Sequence, residues 1–233
     1  VSQGYTGFAR PAAAQGLIER RARFLTRTYN HLFLAILAFA AIEFALFATG
    51  IAPVMAQAMM GTSWLLVLGG FMVVSWGASH FAHRASSLAV QYMALAAFVV
   101  AEAILFVPLL LIANMYAPGA IQSAGIVTLV GFAGLTAIVF VTRKDFSFLR
   151  GILFWGGIVA LCLIVAGALF GLKLGTFFSV AMIGFAGAAI LYDTSNVLRH
   201  FPEDRYVAAA LELFASVALL FWYVLRLFIA ARD

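Results

Sequence analysis

Leu88-Ala-Val-Gln-Tyr-Met-Ala-Leu-Ala-Ala-Phe-Val-Val-Ala-Glu-Ala-Ile-Leu-Phe-Val-Pro-Leu-Leu-Leu-Ile-Ala113 carries one carboxylate, Glu102, and no lysine or arginine. The hydrocarbon core of a bilayer, about 30 Å thick, takes about 20 helical residues, and this stretch exceeds that length. It is apolar without period-two alternation, which excludes a strand of a membrane barrel. Six further runs of similar character occupy 30–50, 64–82, 119–142, 151–171, 176–193 and 206–229. The breaks between runs are short and hold turn or charged residues: Gly50 and Pro53, His83 and Arg84, Asn114 to Gly119, Arg143-Lys144-Asp145, Lys173 and Gly175, and Arg199 to Arg205. Short connections make neighbouring spans antiparallel.

Composition agrees. Of 233 residues, 65% are hydrophobic and 10% charged, with a mean hydropathy of +1.08. A soluble domain is roughly 45–50% apolar and about 25% charged. The chain has too little polar surface for a soluble domain, and a disordered chain or a disulfide scaffold is excluded too. The single cysteine, Cys162, has no partner thiol in the chain and reads as a small core residue. The expected fold is all-α: one domain of seven transmembrane helices over 30–229, after a basic tail over 1–29 that is in part unstructured, with a short tail over 230–233. No apolar signal-peptide core is read in residues 1–29.

The net charge of +5 reads as a topology signal and not as a nucleic-acid surface, because the basic residues flank the runs. Arg10, Arg20, Arg21, Arg23, Arg27, Arg84, Arg143, Lys144, Arg150, Arg199 and Arg205 fall on one side, and Lys173, Arg226 and Arg232 on the other. The excess puts the N-terminus in the cytoplasm. Trp64, Trp155 and Trp222 read as interface anchors or packing residues. Gly167 and Gly171 form a small-xxx-small pair, and Gly-Phe-Ala-Gly occurs at 131–134 and 184–187; generic helix packing explains both.

Ionisable groups inside spans are expensive and mark candidate sites. Four carboxylates qualify. Asp193, in Leu191-Tyr192-Asp193-Thr194-Ser195-Asn196, either caps the end of its span or is buried near the cytoplasmic mouth with an arginine partner, for which Arg84 is on the same side. Glu212 and Ser216 share a helix face, four residues apart. Glu212 is either an interfacial acid at a helix start or close enough to Asp193 to form a proton- or cation-sensing pair. Glu102 lies six residues before Pro108, a position suited to a permeation path or to a bond with a neighbouring helix. Glu43 lies in the first run, past its middle. His80 and His83 are three apart at a span end and read as interfacial, since a metal site needs further ligands. No phosphate-binding loop, HExxH or GxSxG is present, and the chain reads as a non-enzyme without catalytic residues.

Thr142-Arg143-Lys144-Asp145-Phe146-Ser147-Phe148-Leu149, the 191–196 segment, and the last run with Ala-Leu-Glu-Leu and Leu-Arg-Leu-Phe resemble the Bax inhibitor-1 family over about residues 24–233. The first string and the closing Ala-Arg-Asp resemble its bacterial YccA-like branch most. The resemblance implies seven helices, one central. It also implies, from the calcium-leak members, a pH-sensing pair of aspartates in the last two helices, latched by an arginine of the second. The first aspartate matches Asp193, the arginine matches Arg84, and the second aspartate falls on Ser216, so that pair is not intact; Glu212 is the candidate substitute. No organic cofactor is implied, and Ca2+ or H+ enters as a permeant or regulatory ion. The YccA-like branch implies a different role, restraint of the membrane AAA protease FtsH in the bacterial inner membrane. The polar N-terminal tail is then either a handle for that protease or an ordinary positive-inside anchor.

Overall fold

The computed structural model describes residues 9–85, 87–171 and 174–232, with side chains from Gln15 onward. Residues 1–8, Lys173 and Asp233 lie outside the described residues. The described residues form eight helices: α1 (Ala9–Ala48), α2 (Ile51–Gly61), α3 (Trp64–Arg84), α4 (Leu88–Tyr116), α5 (Ala120–Thr142), α6 (Leu149–Phe170), α7 (Thr176–Arg199) and α8 (Tyr206–Ala230). Seven are long and apolar enough to cross a membrane. They are the seven expected runs with shifted ends.

Three differences matter. First, the helix expected from residue 30 already runs from Ala9, through most of the segment read as a tail unstructured in part. Ala12, Ala13 and Ala14 favour helix, and Phe24 and Thr28 are buried, so packing holds the lower half of α1. Second, α2 is an additional helix of 11 residues, about half the length a span needs. Gly50, at φ +72°, makes the left-handed turn from α1, and Pro53 sits in the first turn of α2, where its missing N–H costs nothing. Third, α7 continues to Arg199 instead of stopping at residue 193. Thr194, Ser195 and Val197 are buried against other elements, and this packing carries the helix through a polar segment.

α4 and α8 form the centre; about half of each spanning segment is buried, against less than a third in every other. α8 packs against α1, α3, α4, α5 and α7. Ala208, Ala209 and Ala210 are fully buried and allow this close approach. Aromatic contacts join the centre: Phe106 stacks on Phe221 at 5.5 Å and meets Phe39 and Trp222 edge-on. α4 runs unbroken through Pro108. Glycine contacts set other spacings. Gly156 faces the ring of Phe185, while Gly171, read as half of a packing pair, instead ends α6 in a left-handed turn at φ +69°.

The end that carries the basic loops is tied by hydrogen bonds. The Arg21 guanidinium donates to the carbonyls of Val197, Leu198 and Phe201, joining α1 to the end of α7. Phe146 N–H donates to Ser195 Oγ at 3.1 Å, so the α5–α6 loop rests on α7. Two of the three stretches that carried the family resemblance, 142–149 and 191–196, are therefore in contact.

Candidate functional site

α3 and α8 run antiparallel and border a cavity of about 1170 Å³, together with side chains of α4, α6 and α7. Its ends follow from two pairs across these helices. His83 meets Glu212 at one end, and Trp64 stacks on Trp222 at 6.3 Å at the other. The ten residues from 212 to 222 span about 15 Å of helix, half the bilayer core. Asp193, Glu212, Ser216 and Glu102 all line this one cavity, as do Ser75 and Ser79. Near the Trp64 end, Arg226 lies over the Tyr223 ring and donates to the carbonyl of Leu174.

Asp193 lies inside α7, more than one turn before its end, so it is not a helix-end cap. Ser216 Oγ donates to Asp193 Oδ2 at 2.5 Å, within the range for a hydroxyl on a carboxylate. The residue in the position of the missing aspartate thus touches the first one. Glu212 makes no hydrogen bond to Asp193. Its Oε1 is 2.8 Å from His83 Nε2. The other ring nitrogen, Nδ1, is 2.8 Å from the carbonyl oxygen of Ser79. A carbonyl only accepts, so Nδ1 carries a hydrogen. Nε2 and Glu212 Oε1 then share one further proton, whichever atom holds it. Glu212 Oε2 is buried without a hydrogen-bond partner among the described residues.

Arg84, expected to latch Asp193, is exposed. Among the described residues it makes no ion pair or side-chain hydrogen bond. Successive residues on a helix point about 100° apart. With His83 turned onto α8, its neighbour Arg84 is turned away. His83, read as merely interfacial, is the residue that meets the acidic end; its spacing from His80 gave no hint, because the partner comes from a distant helix. The serines of α3 were missed for the same reason. Glu102 is buried on α4 and faces the cavity with no hydrogen-bond partner among the described residues. Glu43 is not part of this site and lies on another side of α8. No three His, Cys, Asp or Glu side chains among the described residues gather as a metal-holding cluster.

The family model described as inhibitor of apoptosis-promoting Bax1 matches residues 21–233. The chain belongs to the Bax1 inhibitor family. Relatives of this family member include a Pseudomonas aeruginosa protein, 38% identical over 117 residues, which are 48% of this chain and 51% of that one. The Escherichia coli protein named modulator of FtsH protease YccA is 37% identical over 100 residues, 42% of this chain and 45% of that one. The Arabidopsis thaliana protein LIFEGUARD 4 is 33% identical over 118 residues, 48% and 47% of the two chains. The chain spans about half the length of the relatives it matches. It is a multi-pass membrane protein of the Bax inhibitor type, with three carboxylates lining one intramembrane cavity.

Proposed function

We propose that this Bax inhibitor family protein modulates an FtsH-type AAA protease in a bacterial inner membrane, with its N-terminus in the cytoplasm. The similarity to the E. coli FtsH modulator carries the reading. A second E. coli relative is named inner membrane protein YccA, and the eleven-to-three division of basic residues supports the orientation. α1 supports the partnership physically. Its basic segment, with Arg20, Arg23 and Arg27, extends the first span beyond the bilayer core, within reach of a membrane-anchored partner. The test is native co-purification of the tagged chain with the protease, alongside turnover of a membrane substrate of that protease. Co-purification with slowed turnover supports the role. No co-purification and unchanged turnover, with the chain folded in the membrane, refutes it.

The acid-lined cavity favours a second reading, a pH-sensitive calcium or cation leak. In it, Asp193 with Ser216, and Glu212 with His83, form the cation- and proton-responsive element, Glu212 standing in for the missing aspartate. Arg84 belongs to this gate only if α3 rotates to bring it inward. Calcium flux into dye-loaded liposomes, on either side of neutral pH, tests it for the wild type, Asp193→Asn and Glu212→Gln. Flux that changes with pH and with Asp193 supports the leak. Flux no greater than that of empty liposomes removes it.

A further inference from the structure

A second cavity, of about 480 Å³, lies between α1, α4, α5 and α8, on a face of α8 different from that of the acidic cavity. Its volume falls in the range of roughly 300–1000 Å³ usual for small-molecule sites. Five phenylalanines line it: Phe39, Phe44, Phe47, Phe214 and Phe221. One carboxylate, Glu43, one hydroxyl, Thr128, and the Asn114 amide on α4 also border this aromatic enclosure. Glu43 is 7% exposed, and both its oxygens lack a hydrogen-bond partner among the described residues. Thr128, across the cavity on α5, is 2% exposed, and its Oγ1 also lacks a partner among them. Buried polar groups are almost always hydrogen-bonded, and an orphaned carboxylate in a bilayer is among the costliest of them. Two such groups bordering one cavity leave room for a ligand that supplies the missing donors.

The cavity has a way in. Phe44 and Leu129, on the two flanking helices α1 and α5, line it and are themselves 77% and 51% exposed on the lateral surface. In a spanning bundle that surface meets lipid. A ligand therefore enters from the bilayer and carries an apolar body. Its head must donate to a carboxylate and suit aromatic faces. A metal ion does not fit, since one carboxylate, one hydroxyl and one amide among phenylalanines supply too few oxygen ligands. A neutral alcohol donates once and offers Glu43 no opposite charge. An ammonium pairs with the charge, donates up to three N–H bonds to Glu43 and Thr128, and is attracted by the rings.

We propose that the cavity bordered by Glu43 and Thr128 is a binding site for a lipophilic amine, held as its ammonium by Glu43 and admitted from the bilayer between α1 and α5. The site stands apart from the proposed function, and neither depends on the other.

The test uses the full chain in lipid nanodiscs and a photoreactive decylamine, with crosslinks mapped by mass spectrometry. Labelling is expected on α1 and α5 around Phe44 and Thr128, competed by decylamine and not by decanol. Glu43→Gln removes the charge at nearly constant volume and is expected to lower this labelling by about tenfold or more. Asp193→Asn, in the other cavity, is expected to leave it unchanged. Gly125→Leu keeps Glu43 but fills the space, since Gly125 lines the cavity and a Cβ added there meets nothing within 4 Å. It too is expected to abolish labelling, and it serves as the test if Glu43→Gln does not fold. Labelling unchanged in the folded variants, equal competition by decanol, or no labelling of these helices overturns the proposal.

Discussion

Ser216 on α8 donates its hydroxyl to Asp193 on α7, oxygen to oxygen at 2.5 Å, and so bonds the central helix to a surrounding one inside the acidic cavity. Ser216 is buried, and water has little chance to replace the lost donor. Ser216→Ala is therefore expected to lower unfolding stability by about 1–3 kcal/mol, the range for a hydrogen bond to a charged or buried acceptor. Ser216→Thr, which keeps the hydroxyl, is expected to recover most of it. Thermal unfolding of purified protein in one detergent compares the three. Equal midpoints for alanine and threonine would mean that the hydroxyl contributes nothing beyond its volume.

His83 and Glu212 bond across α3 and α8, while Arg84 is exposed. A double-mutant cycle of His83→Ala and Glu212→Gln is expected to give a coupling of about 0.5–3 kcal/mol in reversible unfolding. Arg84→Gln is expected to change stability by less than about 0.5 kcal/mol, as exposed positions do, and to show no coupling to Asp193→Asn. Strong coupling between positions 84 and 193 would restore the arginine latch in place of the histidine pair.

Gly156 and Gly134 separate packing from composition. A Cβ at 156 would come within 3.0 Å of the Phe185 ring, whereas one at 134 meets nothing within 4 Å. Gly156→Ala is expected to destabilise by about 1–3 kcal/mol, through displacement of the ring between α6 and α7. Gly134→Ala is expected to be neutral or to stabilise by up to about 1 kcal/mol, because alanine favours helix. The same unfolding assay reads both.

The α5–α6 loop carries a pH dependence of known sign. The Ser147 backbone N–H, donating to Asp145 Oδ1 at 2.9 Å, holds the Asp145 carboxyl below its ordinary value, and His200 nearby adds to this. A carboxyl that titrates lower in the folded state contributes fully above the unfolded carboxylate range. That contribution is lost as pH falls through the folded value. Asp145→Asn is expected to flatten the acid side of the loop's stability profile and to leave the neutral side level. Hydrogen exchange at the Ser147 amide measures it, and an unchanged acid slope would exclude Asp145 as the cause.

The sequence alone determined the class of fold. Seven continuous apolar runs leave backbone groups no solution in a bilayer except helix, and short charged breaks leave no connection except a hairpin. It also named the four carboxylates that line the two cavities, because a carboxylate in an apolar run stands out by its cost. Tertiary structure decided their company. Runs show period and length, but not which face of a helix turns to which neighbour. Asp193 and Ser216 belonged together already in the sequence resemblance, while Arg84 was expected against Asp193 and is exposed, and its neighbour His83 meets Glu212, since a rotation of one residue about α3 leaves composition unchanged. The short helix α2 was invisible because eleven apolar residues holding Pro53 look like a loop between spans. Glu43 and Glu102 look alike in the sequence. Packing around α8 put one in an aromatic cavity and the other in the cavity that Asp193 and Glu212 line, since contacts between distant segments arise only when the chain is folded.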